Sequence, residues 1–269
     1  MDYKSLISNG KSVREFKNKK ISGTYFKEIE DYINNSKKLL PKIDFELKIF
    51  NKEDVYSKLQ NIAGYNGHMI EAPHYVIILS QVENGYIENS GYIGERLILK
   101  SRSLDIDSCW VTFDDSDKIK QRLNISSDKE VTAIIALGYA QNAKLKSKRG
   151  SDRLGIEEIV YMNKWGNNAS IDELEERGLL DAFSYARMAP STLNRQPWRF
   201  IIDGGDLVLS VKKDGFTSEY EKCIDAGIAM LYFGLIIDTT MFDLNWKVDS
   251  PSKEYIIDDN YEIMGYCSI

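Results

Sequence analysis

Histidine is almost missing from this chain, which carries only His68 and His74 among its 269 residues. So small a number argues against a histidine metal centre or a histidine-based catalytic triad, and both rings are expected to be structural. Cysteine is sparse too. Cys109, Cys223 and Cys267 are odd in number, widely spaced and outside any C-x-x-C pattern, so no disulfide framework or thiolate metal site is supported and a reducing, cytoplasmic setting is expected. Positive charge is not in excess: the net charge is −6 and the pI near 5.2, which opposes nucleic acid or an anionic membrane surface as a partner. No apolar run approaches membrane length, and the opening "MDYKSLISNGK" is too polar for a secretory core, so a soluble, unprocessed protein is expected. Nor does a G-x-G-x-x-G follow any strand-like run, so no resident dinucleotide fold is expected.

The chain does hold 43% hydrophobic and 11% aromatic residues, enough for one large domain or two modest ones. "SGTYFKEIEDYINNSKKLL" reads as an amphipathic helix, with Tyr25, Phe26, Ile29 and Ile33 on one face and Pro41 as its stop. "FELKIF" and "APHYVIIL" read as strands, "YIGERLILKSRSLDI" as a helix and "VTAIIALGY" as a buried strand. The same order then returns: a helix in "SIDELEERGLLDAFSYARM", strands in "WRFIID" and "DLVLSVKK", a helix in "DAGIAMLYFGLIIDTTM" and a strand in "YEIMGYC". Gly91 and Gly227, Leu99 and Leu235, Asp107 and Asp243, and Trp110 and Trp246 share one offset of 136 positions. An internal duplication is therefore expected, with residues 1–163 as the first α/β repeat, 164–269 as a shortened second one, and the polar "MNKWGNNAS" between them.

Three stretches could carry chemistry. In "SVREF", Ser12 and Arg14 are two apart and would project from the same side of an extended segment, with Lys11 beside them. A hydroxyl and a guanidinium converging on one spot suit a phosphate, although Ser-x-Arg by itself also fits a solvated surface. The basic run "KLKSKRGSDR" (residues 144–153) fits a linker, with Arg149 or Arg153 as a possible further phosphate contact and only Arg153 in ordered surroundings. The third stretch, "ARMAPSTLNRQPWRF", sets Pro190, Ser191, Thr192, Asn194 and Gln196 between a helix and a strand. Punctuation would account for its prolines, but two amides beside a Ser and a Thr offer more donors and acceptors than a chain reversal needs.

Taken together, "SVREF", "APSTLNRQPWRF", "APHYVIIL", "GYIGERLILKSRSLDIDSCW", "VTAIIALGYA" and "RLGIEEIVY" occur in the order seen in the nitroreductase-like FMN-dependent oxidoreductases, which this chain resembles over most of residues 8 to 205. The P-S-x-x-N-x-Q-P-W string is the specific element. The resemblance implies an α+β nitroreductase-like fold. Family members are intimate homodimers with flavin at the interface, the S-x-R segment of one subunit holding the FMN phosphate and the P-S-x-x-N-x-Q-P segment of the other reading the ring. Here the phosphate segment occurs only in the first half and the ring-reading segment only in the second. Two tandem half-repeats forming an intramolecular pseudo-dimer with one surviving flavin site are thus expected, acting as a monomer.

Carried over by residue, the resemblance gives Ser12 and Arg14 as phosphate contacts, with Lys11 a third and Arg153 matching a further basic position. Pro190, Ser191 and Thr192 match ring contacts, Asn194 and Gln196 the amides beside the ring and ribityl chain, and Thr112 or Phe113 the backbone N–H aimed at flavin N5. Gly10 departs from the family, which often has a basic residue there. The implied activity is oxidation of a transient NAD(P)H co-substrate and ping-pong reduction of a small nitroaromatic or quinone, with no acid or base side chain required. The competing expectations are a flavin-binding or sensing protein without turnover, a structural pseudo-dimer without flavin, and a family branch performing dehalogenation or flavin fragmentation.

Overall fold

A computed structural model describes residues 1–142, 152–240 and 242–269. Its contacts separate two units: one of Met1, Asn9–Tyr86 and Ile93–Arg149, the other of Asp2–Ser8, Ile87–Tyr92 and Gly150–Ile269, each as far as described. Helix α1 (Tyr3–Ser8) falls in the second unit, where Lys4 donates to Asp181 at 2.6 Å.

The first unit begins with α2 (Gly23–Asn35), whose Ser22 cap accepts the Thr24 N–H. Phe26, Ile29 and Ile33 are buried as the spacing requires, whereas Tyr25 sits at the exposed border of that face. The helix ends well before Pro41, because Ser36 turns extended and its hydroxyl donates to the Tyr32 carbonyl. There follow β1 (Phe45–Asn51), α3 (Lys52–Val55), β2 (His74–Ser80), α4 (Tyr86–Ser103), β3 (Asp107–Val111), α5 (Ser116–Leu123) and β4 (Glu130–Gly138). These strands make an antiparallel sheet in the order β1-β2-β4-β3. Alternation along β2 feeds two cores: Val76 and Ile78 pack with Ile29, Ile33, Ile93 and Leu97, while Tyr75, Ile77 and Leu79 pack with Val55, Leu59, Ile119 and Leu123. His74 is buried, accepts the Ile21 N–H on Nε2 at 3.1 Å and meets Phe26 edge-on. Burial lowers its pKa, so the ring is a neutral structural acceptor.

The second unit continues with α6 (Ile156–Ile159), β5 (Val160–Met162), α7 (Ile171–Glu176), α8 (Leu180–Ala186), β6 (Trp198–Asp203), β7 (Asp206–Lys212), α9 (Glu219–Ile237) and β8 (Tyr261–Ser268). Its sheet runs β5-β6-β7-β8, parallel between β5 and β6 and antiparallel elsewhere. Helix α9 starts from a Ser218–Glu221 capping box and is buried on all sides from Ile224 onward, as its run, apolar apart from Asp225, requires.

Two expectations from the sequence are corrected. The single helix expected over "SIDELEERGLLDAFSYARM" is two, because Gly178 adopts φ +67 and ends the first while Leu174 and Leu179 keep the apolar pattern continuous across the break. Residues 107–111 form a strand, where the "GYIGERLILKSRSLDIDSCW" stretch suggested a continuing helix.

The two sheets share an order of elements. In the first, β1 and β2 precede α4, then β3 and β4. In the second, β6 and β7 precede α9, then an isolated antiparallel bridge of Lys247 to Tyr266, then β8. A register irregularity falls in matching strand pairs, between Ile78 and Leu79 of β2 against β4 and between Leu209 and Ser210 of β7 against β8. Residues 87–92 of α4 lie in the second unit with α9. There a Cβ on Gly91 would fall 2.4 Å from the Ile224 carbonyl oxygen, and one on Gly227 2.0 Å from that of Glu88. Residues 88 and 91 correspond to 224 and 227 under the 136-residue offset. No described helix is long and apolar enough to cross a membrane.

Candidate functional site

In the first unit the Lys11–Phe16 segment lies along the β3 and β4 strands. Ser12 bridges Ser108 in parallel, the Val13 N–H donates to the Ser108 carbonyl at 2.9 Å, and Phe16 bridges Ala140. Ser12 and Arg14 are exposed, and both bear on Cys109 of β3: the Ser12 side chain is hydrogen-bonded to the thiol and the Arg14 charge acts on it. Burial pushes the Cys109 thiol up to about 11 against those two opposing influences, so it is a protonated wall rather than a nucleophile. Lys11 is half-buried next to them.

At the other end of β3, the Thr112 carbonyl accepts the Gly64 N–H at 2.7 Å and Phe113 bridges Ala63. The loop that supplies these partners holds Asn61, Gly64, Asn66 and Gly67 at positive φ, a folded-back backbone seated on the Thr112–Phe113 segment. From Ser108 to Thr112 the strand advances roughly 13 Å at about 3.3 Å per residue.

In the second unit, Leu193, Asn194 and Gln196 have φ of +52, +56 and +50. Asparagine tolerates this region, but leucine and glutamine do so at a cost of about 1–2 kcal/mol each. Such a backbone persists only where its surroundings enforce it, and here five hydrogen bonds stitch the stretch to residues 152–154. Gln196 donates to the Asp152 carbonyl at 3.0 Å and accepts the Leu154 N–H at 2.9 Å. Asn194 donates to the same Asp152 carbonyl at 3.3 Å, Arg153 to the Ala189 carbonyl at 2.7 Å, and Arg187 to the Leu154 carbonyl at 3.0 Å. The Ser191 hydroxyl accepts the Gln196 N–H at 2.9 Å. Arg195 ion-pairs with Asp214 at 2.6 Å. Burial alone would raise Asp214, but bonds from the Thr217 hydroxyl, the Phe216 N–H and Arg195 outweigh it and bring the carboxyl down to about 2.

Within the first unit Lys11, Ser12 and Arg14 lie at one end of β3 and Thr112 and Phe113 at the other; within the second, Arg153, Pro190, Ser191, Thr192, Asn194 and Gln196 lie around one strained turn. Gln196 is buried and spends its amide on holding the turn, and Arg153 fixes the carbonyl before Pro190. Residues 144–151 of the basic run, Arg149 among them, lie outside the described residues.

Sequence reasoning missed Asp225. Both its carboxylate oxygens lie 3.1 Å from the Thr192 nitrogen, and the side chain is buried in α9. An isolated Asp within an apolar helix was the available signal. Burial raises its pKa well above the ordinary carboxylate value, more than the Thr192 N–H can offset. The folded state therefore keeps a proton that the unfolded chain releases near pH 4, and this group's contribution to stability falls as pH rises from there. Asp225→Asn, which keeps an acceptor for Thr192 and cannot ionise, is expected to melt progressively above the wild type as pH goes from 4 to 8. Parallel melting temperatures across that range would refute it.

A family model described as "Putative TM nitroreductase" matches residues 2–237. Among solved structures, a putative nitroreductase from Thermotoga maritima is similar with TM-score 0.64 at 20% identity, over 100% of this chain and 94% of that one. A nitroreductase family protein from Streptococcus pneumoniae aligns with TM-score 0.50 at 14% identity, over 59% of this chain and 98% of that one. A putative nitroreductase from Exiguobacterium sibiricum, solved in complex with FMN, aligns with TM-score 0.50 at 15% identity, over 59% of this chain and 95% of that one. No curated protein matches the chain.

Proposed function

Since the chain belongs to the putative TM nitroreductase family and has its α+β fold, we propose that it is an FMN-dependent NAD(P)H oxidoreductase with one FMN per chain, reducing nitroaromatic or quinone-type acceptors. The observation that carries this is the arrangement along β3, with exposed Ser12 and Arg14 at one end and the Thr112–Phe113 backbone, braced by a folded-back loop, at the other. A molecule with a phosphate at one end and a polar-edged ring at the other suits that spacing.

FMN, when bound, supplies two-electron chemistry between a nicotinamide and the acceptor. The chain's own residues bind and orient. Ser12 and Arg14, with Lys11, would take the phosphate; the Thr112 or Phe113 N–H would meet the ring near N5. Pro190, Ser191, Thr192 and Asn194 would present the ring-reading edge. Gln196 and Arg153 would act behind them, since their side chains already hold the backbone of that turn. No titratable side chain is required to move a proton. The shared element order of the two sheets and the 136-residue offset between Gly91 and Gly227 support a duplicated chain, with repeats over 1–163 and 164–269, that works as a monomer.

The test is the visible spectrum of purified protein mixed with FMN and freed of excess. A retained flavin band that bleaches anaerobically with NADH or NADPH and returns on adding a quinone or nitroaromatic is the expected result. Protein that stays colourless rejects the FMN assignment, and a band that NAD(P)H never bleaches rejects the oxidoreductase.

A further inference from the structure

Gly10 stands two residues before Ser12 and four before Arg14. The space next to Gly10 is filled. A Cβ built on it would lie 2.6 Å from one terminal nitrogen of Arg102, 3.0 Å from its guanidinium carbon and 3.1 Å from the other nitrogen. Arg102 comes from the last turn of α4, half-buried, and its planar guanidinium lies against the backbone that leads into Lys11, Ser12 and Arg14. Any larger residue at position 10 would push it away.

We propose that Arg102 is a phosphate-binding residue, delivered from α4 through the gap left by Gly10 to complete the cationic pocket of Ser12 and Arg14. This rests on the FMN reading of the same pocket. The supporting chemistry is the Arg102 guanidinium set beside Gly10, with Lys11, Ser12 and Arg14 next in the chain, in a protein of net charge −6, where undirected cations would not be expected to gather. A guanidinium also offers five donors in a fixed fork, so one already engaged by its surroundings can still present an edge to a phosphate. The C-terminal turn of α4 offers a second, purely structural use for a cation through the helix dipole, and the test separates the two.

Binding of FMN and of riboflavin, which lacks the phosphate, is measured by flavin fluorescence for the wild type, Arg102→Ala, Arg102→Lys and Gly10→Ala. Arg102→Ala is expected to lose about tenfold in FMN affinity while riboflavin affinity stays level, which also shows the variant folded. Arg102→Lys should recover part of the loss, and Gly10→Ala, whose methyl displaces the guanidinium, should resemble Arg102→Ala. Equal FMN affinity in wild type and Arg102→Ala overturns the proposal while leaving the FMN site intact. Equal losses for FMN and riboflavin also overturn it, by showing that Arg102 serves the fold. A wild type that binds neither ligand overturns the FMN reading itself.

Discussion

Arg14→Ala is expected to lose about a hundredfold in FMN affinity while riboflavin affinity changes little. A phosphate monoester carries about −1.5 to −2 charges near neutral pH, and a charge-assisted bond to it is worth about 1.5–3 kcal/mol, the upper end of which is near a hundredfold. Arg14 is exposed in the free chain, and exposed ion pairs usually contribute only about 0–1 kcal/mol. The larger value applies here because the anion does not have to gather its partners. Ser12 is fixed to Ser108 through the strand bridge and to the Cys109 thiol, so its hydroxyl and the backbone that carries Arg14 are set before the phosphate arrives. Raising the salt concentration should weaken FMN binding to the wild type more steeply than to Arg14→Ala, because one cation fewer faces the phosphate. Fluorescence titration with both flavins checks the outcome. Equal FMN affinity in the two proteins would remove the phosphate from this end of β3.

Much of this was legible in the sequence because it depends on local pattern. The central strands β2 and β4 are continuous apolar runs, and "PSTLNRQPW" announces a polar turn by composition alone. What stayed hidden depends on which distant residue arrives next to a local feature. Gly10 reads as an absence until α4 brings Arg102 against it. Gln196 reads as a free amide until residues 152–154 take up its donor and acceptor. The strand β3 is missed because "DSCWV" follows an uninterrupted helical run and is only five residues long. The break at Gly178 is missed for the opposite reason, since buried Leu174 and Leu179 continue the apolar period across it.

The largest effect on stability is expected at Gly227, and here local propensity and tertiary packing predict opposite signs. In an open helix, glycine to alanine gains about 1 kcal/mol, because glycine loses more backbone freedom on folding. At position 227 the added carbon would sit 2.0 Å from the Glu88 carbonyl oxygen and 2.8 Å from its carbon. Both atoms are backbone within α4, so no rotamer change relieves the overlap and the helices must part by more than an ångström. Helix α9 is buried on every side around that point, and the displacement spreads into a close-packed core. Overpacking of this kind costs about 1–3 kcal/mol and more when backbone is involved, so Gly227→Ala is expected to lose about 2 kcal/mol or more net. Gly91→Ala, whose carbon would meet the Ile224 carbonyl oxygen at 2.4 Å, should behave alike. The double variant should lose less than the sum, because helices already forced apart accommodate the second methyl. Gly23 serves as the control: it opens α2 with nothing within 4 Å of a Cβ, and alanine there should be neutral or slightly stabilising. Urea denaturation of the wild type and the four variants decides the matter. Should Gly227→Ala prove as stable as Gly23→Ala, the close backbone crossing of Gly227 against Glu88 would have to be abandoned.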